Sequence, residues 1–171
     1  MEYTRIEDLP REKLIELIAD FSKNWLAMDG VWFQSVESKH GMAEAMEHDE
    51  NAWARYTLIE ANRIKKFLGL PDRPGLTGLA RALRFRSYSP LNEDSVEVDG
   101  NILIYRVVSC RVQSARKNKG MPFHPCKSVG IIEYSGFAAA IDDRITAQCV
   151  SCYPDITDDS AACVWKFTLN E

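Results

Sequence analysis

The stretch DSVEVDGNILIYRVVSCRV, residues 94–112, decides how the second half of the chain is read. Asp94–Val98 and Ile102–Val112 are β-prone runs that meet across Asp99-Gly100. An Asp-Gly pair in that setting signals a tight antiparallel hairpin, because glycine takes the positive φ that the turn demands. Further along, residues 114–121 read as a loop and Cys126–Ile141 as a helix rich in small residues, ending at Asp142. Ile145–Ser151 and Cys163–Leu169 are two more strands, joined by Tyr153-Pro154-Asp155 and an acidic turn. Working back from Phe85, the pattern turns helical. Leu14, Ile18, Phe21, Trp25, Trp32 and Val36 recur at steps of three and four with one longer gap, as on the inward face of a long helix running from Pro10 to Gly41, with a bend at Gly30. A short helical piece follows at Met42–Glu47. Asp49 then caps a further helix with Trp53, Tyr56, Ile64 and Phe67 facing inward, and Thr77–Leu83 adds a short one. Helices followed by β-β-α-β-β predict an α+β fold with an antiparallel sheet. The 171 residues are expected to form a single domain, with 1–83 mainly helical and 84–171 the β-β-α-β-β part.

Composition narrows the function. Hydrophobic residues at 46% and charged residues at 27% rule out general disorder. The formal net charge of −4, from 21 basic and 25 acidic side chains, argues against nucleic acid as a main partner, since phosphate binding draws on clustered Lys and Arg. The densest basic stretch, Arg111–Lys119, reads as a solvated loop. No run approaches the ~18 consecutive apolar residues of a membrane span, and MEYTRIED is no signal peptide. A cytoplasmic location with reduced thiols is therefore expected, and an odd total of five cysteines fits no disulfide framework.

Three carboxylates fall within apolar stripes, where an unpaired charge is costly. Asp29 lies four residues after Trp25 and three before Trp32, and Glu60 lies seven after Trp53 and four before Ile64. Either is explained by an ion pair with Arg63 or Arg144 that ties helices to the sheet. Glu133 shares a helix face with Cys126, Val129, Gly130, Phe137 and Ala140, and Gly130 and Ala140 leave room beside it for a ligand. Glu37-x-x-His40 has the spacing of half a di-iron site, but no second copy exists, so His40 reads as a helix C-terminal cation.

All five cysteines lie at or beyond residue 110. His124-Pro-Cys126 and Cys149-x-x-Cys152 supply four groups, His124, Cys126, Cys149 and Cys152, with zinc-like or iron-like local spacing. In a straight strand Cys149 and Cys152 would point to opposite faces, so the pair needs a turn between its members. Cys126, at a helix N-terminus that favours its thiolate, is open to three readings: metal ligand, nucleophile or buried filler. Cys110 and Cys163 read as core. Arg111 and Gln113 share a strand face and, with Arg144, can clamp a carboxylate; otherwise they are solvated.

The C-terminal pattern Cys110-Arg-x-Gln113, Pro125-Cys126-Lys127-x-x-Gly130, Glu133, Ile141-Asp142-x-Arg144, Cys149-x-x-Cys152-x-Pro154-Asp155 and Cys163-x-Trp165-x-Phe167 resembles an uncharacterised family of bacterial cytosolic proteins. The likeness extends to Trp25, Asp29, Trp32, Glu37, Trp53 and Glu60, and so covers most of the chain. That family resembles the L-2-amino-thiazoline-4-carboxylic acid hydrolases, which implies ring opening of a cyclic, amidine-like carboxylate. Such chemistry needs an acid/base, an activated water and a carboxylate anchor. Glu133 would be the acid/base, Cys126 the nucleophile or metal ligand, and Arg111, Gln113 and Arg144 the anchor. A fainter resemblance to 4-vinyl reductase-type domains implies the rival reading. That rival is a non-catalytic sensor in which His124, Cys126, Cys149 and Cys152 hold zinc or iron or line a ligand cavity. As a third reading, the helical half, which carries three of the four tryptophans, serves as a homodimer platform.

Overall fold

A computed structural model describes residues 3–171. Helix α1 (Arg11–His40) starts behind Pro10 and ends at Gly41, whose φ of 88° stops one helix and admits the next, α2 (Met42–Leu68). Trp25 of α1 stacks on Tyr56 of α2, while Phe33 packs with Ala45 and Met46, so the two helices run back along each other. After α3 (Gly75–Leu83) the chain follows an irregular path through Arg86 and a 3₁₀ turn, Ser89–Leu91. It then forms β1 (Glu93–Asp99) and β2 (Ile102–Ser109), followed by α4 (Arg111–Asn118), α5 (Lys127–Ile141), β3 (Ile145–Cys152) and β4 (Cys163–Leu169).

The expected α+β architecture is present. Four strands form one antiparallel sheet in the order β1-β2-β4-β3. The hairpin turns at Asp99-Gly100, with Asp99 opposite Ile102 and Gly100 at φ 56°. One face of the sheet carries Leu103, Tyr105, Trp165 and Phe167, which pack with Tyr134, Phe137 and Ile141 of α5 and Leu79 and Leu83 of α3. α5 also lies close against α2. Thr57 donates a hydrogen bond to the Glu133 carbonyl at 2.8 Å, and a Cβ on Gly136 would stand 2.7 Å from Thr57 Cγ2. Among the described residues, no helix is long and apolar enough to cross a membrane.

Several local expectations are corrected. Met42–Leu68 is one helix, because neither Gly nor Pro interrupts it, and Asp49 lies inside it rather than capping it. The second strand stops at Ser109. Residues 111–118, rich in Arg, Lys, Gln and Ala, are helical, so Arg111 and Gln113 belong to a helix and not to a strand face. On α1 the buried line runs through Ser22 and Phe33 beside the half-buried Trp25, Asp29 and Val36, while Ile18, Phe21 and Trp32 are exposed. Phe67 is 78% exposed; the buried face of α2 is Trp53, Thr57, Glu60, Ala61 and Ile64. The space expected beside Gly130 is filled by the Trp165 indole, which an added Cβ would approach to 2.6 Å.

Gly130→Ala is therefore expected to displace the indole and lower stability by about 1–3 kcal/mol, the usual range for overpacking. Urea unfolding followed by Trp fluorescence measures the loss; an unchanged midpoint would show that the ring yields freely.

Candidate functional site

A cavity of about 550 Å³ lies between α1 and the body of the fold. α1 forms its roof with Trp25, Asp29 and Phe33, α2 contributes Asp49 and Trp53, and α4 contributes Arg111 and Arg116. The floor is the sheet and α5: Cys163 and Trp165 from β4, Cys152 from β3, and Val129, Gly130, Glu133 and Tyr134 from α5. Arg116 is buried and grips Glu37 through two bonds of 2.9 and 2.7 Å, which ties α4 to α1 at one end of the roof. Those bonds hold the Glu37 carboxyl below its usual range.

At the other end the wall is charged. Arg86, only 2% exposed, donates Nε and Nη2 to Glu60 Oε2 at 3.0 and 2.9 Å and Nη1 to Glu133 Oε1 at 2.6 Å. Ser87 N and Oγ donate to Glu60 Oε1 at 2.7 and 2.8 Å, and Tyr88 donates its hydroxyl to Glu133. The guanidinium also lies over the rings of Phe137 at 4.6 Å and Tyr88 at 4.7 Å. Burial raises the Glu133 carboxyl above its ordinary value while Arg86 and Tyr88 oppose the rise. Glu60 and Glu133 thus share one cation. The partner expected for Glu60 was Arg63 or Arg144; the structure supplies Arg86.

Asp29 faces the cavity with no such partner among the described residues. Burial, reinforced by repulsion from Asp49, pushes its carboxyl up to about 6. This side chain can carry or release a proton near neutrality.

Opposite the charged wall stand Cys126, His124 and Asp49. Cys126 caps the N-terminus of α5. Gln113 fixes the segment before it, accepting from His124 N at 3.0 Å and donating to His124 O at 2.8 Å and to Cys126 Sγ at 3.0 Å. His124 Nε2 lies 3.2 Å from Asp49 Oδ2, and its ring meets Phe33 edge-on at 4.6 Å. A hydrogen bond from Cys152, aided by His124, overcomes burial and pulls the Cys126 thiol down to about 5. Burial works against a charged imidazole, but hydrogen bonds to Asp49 and Cys126 lift His124 to about 9. A cysteine, a histidine and a carboxylate, residue types that can activate a thiol nucleophile, are thus gathered at this end of the cavity.

Of the expected residues, Cys126, His124, Gln113, Glu133, Arg111 and Cys152 converge on or beside this cavity. Arg144 does not. It binds Asp142 through Nε and Nη2 at 3.0 and 2.8 Å, and Asp142 also accepts from Gly75 N, so the pair closes the end of α5. Among the described residues, no three His, Cys, Asp or Glu side chains are arranged to hold a metal ion. Cys149 lies on β3 outside the cavity lining, so His124, Cys126, Cys149 and Cys152 do not assemble as a zinc or iron ligand set. Cys110 and Cys163, read as core, are half-buried and border the cavity, and burial raises Cys110 to about 11. Asp49, Arg86, Tyr88 and Arg116 were missed. Arg86 and Tyr88 sit in an irregular segment with no periodicity to mark them, and Asp49 carried a plainer reading as a cap.

The chain matches the model of a family of unknown function, DUF6125, over residues 7–169, and it belongs to that family. A search of the curated proteins found no match.

Two measurements check this geometry. The rate of Cys126 alkylation by iodoacetamide, followed by peptide mass mapping, is expected to titrate with a midpoint near 5. In His124→Asn that midpoint should rise by more than about one unit, because an opposite charge is removed. Arg86→Ala leaves two buried carboxylates without their cation and should cost about 3–5 kcal/mol at neutral pH. The deficit should shrink as the pH falls and the carboxylates become neutral, in chemical unfolding compared across pH.

Proposed function

We propose that this DUF6125 protein is an enzyme that hydrolyses a small, anionic, amidine-type or cyclic substrate through a covalent bond to Cys126. The observation that carries the reading is the Cys126–His124–Asp49 set facing a cavity large enough for a small organic molecule. The resemblance to L-2-amino-thiazoline-4-carboxylic acid hydrolases supports the same reaction class. Between about 5 and about 9 the pair is thiolate and imidazolium. The thiolate adds to the electrophilic carbon of a C=N group, and His124 gives its proton to the departing nitrogen as the carbon–nitrogen bond breaks. His124, now neutral, takes a proton from the water that hydrolyses the thioester-like adduct and frees Cys126. Asp49 holds the imidazole for both transfers, and Asp29 supplies a second proton site across the cavity. Arg111 at the lining is the anchor for a substrate carboxylate.

Glu133 takes a different role from the acid/base expected of it. Its Oε1 accepts from both Arg86 and Tyr88, so it fixes the wall and orients the tyrosine. The rival reading, a non-catalytic ligand-binding module, draws on the same cavity and its aromatic lining by Trp25, Trp53 and Tyr88.

Incubation with a panel of small cyclic and acyclic amidine carboxylates separates the two. Turnover, with a mass adduct on Cys126 at short times, is expected, and Cys126→Ala should abolish both. Binding by wild type and Cys126→Ala alike, with no adduct in either, would instead establish the binding module. The kcat/KM profile is expected to be bell-shaped with limbs near 5 and 9, rising as Cys126 ionises and falling as His124 loses its proton. His124→Asn should lower kcat/KM by roughly 10²–10⁴-fold.

A further inference from the structure

Cys126 does not stand alone. A straight β3 would send the thiols of Cys149 and Cys152, three residues apart, to opposite faces of the sheet. The register with β4 shows otherwise: Cys149 pairs with Trp165, Ser151 with Val164 and Cys152 with Cys163, with an irregularity between Cys149 and Ser151. The extra residue, Val150, turns Cys152 back onto the inner face, the same face as Trp165. α5 comes down on that spot. Lys127 N donates to Tyr153 O at 3.1 Å, so the residue after Cys126 is bonded to the residue after Cys152, and the two cysteines lie side by side. Both side chains line the cavity, and Cys126 packs against the core cluster that contains Cys152. Cys152 is buried, 2% exposed, sits opposite Cys163 across the strands and shares a packed cluster with it and Cys126, while Cys163 accepts from Trp165 Nε1 at 3.3 Å.

We propose that Cys126 and Cys152 form a dithiol that reduces hydroperoxides and closes to a disulfide. A hydroperoxide ROOH enters the cavity, and the Cys126 sulfur attacks its terminal oxygen. The O–O bond breaks, and the alkoxide leaves as ROH with a proton from His124. The peroxide gains two electrons and Cys126 becomes a sulfenic acid. The Cys152 sulfur then attacks the Cys126 sulfur, the S–O bond breaks, and the oxygen leaves as water, taking the Cys152 proton. In sum, two thiols and ROOH give a disulfide, ROH and water. An external dithiol reverses the bond by exchange, regaining both thiols as it is itself oxidised. The bulge at Val150 has a purpose on this reading, since without it the resolving sulfur would face away from the attacking one. The proposal uses the Cys126 thiolate but needs no hydrolytic substrate.

The test uses the full chain, reduced and anaerobic, given one equivalent of hydrogen peroxide and quenched with N-ethylmaleimide before peptide mass mapping. The expected product has lost two hydrogen atoms, links Cys126 to Cys152, and leaves Cys110, Cys149 and Cys163 alkylated. Cys152→Ala should stop at a Cys126 sulfenic acid that dimedone traps, and Cys126→Ser should consume no peroxide above the buffer background. The proposal is overturned if wild-type Cys126 stays alkylatable after peroxide. It is equally overturned if the bridge joins Cys152 to Cys163, or if Cys126 overoxidises while Cys152 remains free. Because wild type alone decides these outcomes, a misfolded variant does not obscure them. A negative result here leaves the Cys126 adduct assay with amidines to be judged separately.

Discussion

A single buried guanidinium holds the architecture together. Arg86 binds both Glu60 on α2 and Glu133 on α5, and it comes from neither helix but from the irregular segment between α3 and β1. Three separate parts of the chain are thus bound to one cation. The surrounding rings of Trp53, Tyr88, Tyr134 and Phe137 exclude water from it. Desolvation makes such a group costly unless every partner is present, so the segment carrying it has little freedom. Tyr88, two residues on, is placed in the cavity wall as a result.

This arrangement separates two tasks that the sequence alone left merged. Glu133 is the kind of carboxylate that marks a working cavity: acidic, on an apolar helix face, with a thiol nearby. The structure keeps the cavity but gives the carboxylate a partner, so its charge goes into the wall. The groups with less restraint are His124 and Asp29, at about 9 and about 6. Both values have identifiable origins. His124 is lifted by its bonded neighbours against burial, whereas Asp29 is lifted by burial itself.

The elements that were legible in the chain are those with local signals. Asp99-Gly100 announces its hairpin, and the stripe through Cys126, Gly130, Glu133 and Phe137 announces α5. The acidic residues in apolar faces, Asp29, Glu60 and Glu133, proved to be buried or bordering the cavity. What was hidden depends on distant parts of the chain. The partner of Glu60 lies 26 residues away in a segment without period, and Asp49 gains meaning only when α2 is folded against His124. The register irregularity near Val150 leaves no mark in a strand of alternating residues. Arg111 and Gln113 were placed on the wrong kind of element, yet Gln113 reaches Cys126 because α4 begins where the strand was expected to continue.

Cys126 stands at the start of α5 and Glu133 lies within it seven residues on, which sets them about 10 Å from each other along its axis. That axis works as a ruler. The cavity beside it has a sulfur at one pole and a tethered carboxyl at the other, so its two ends differ in chemistry.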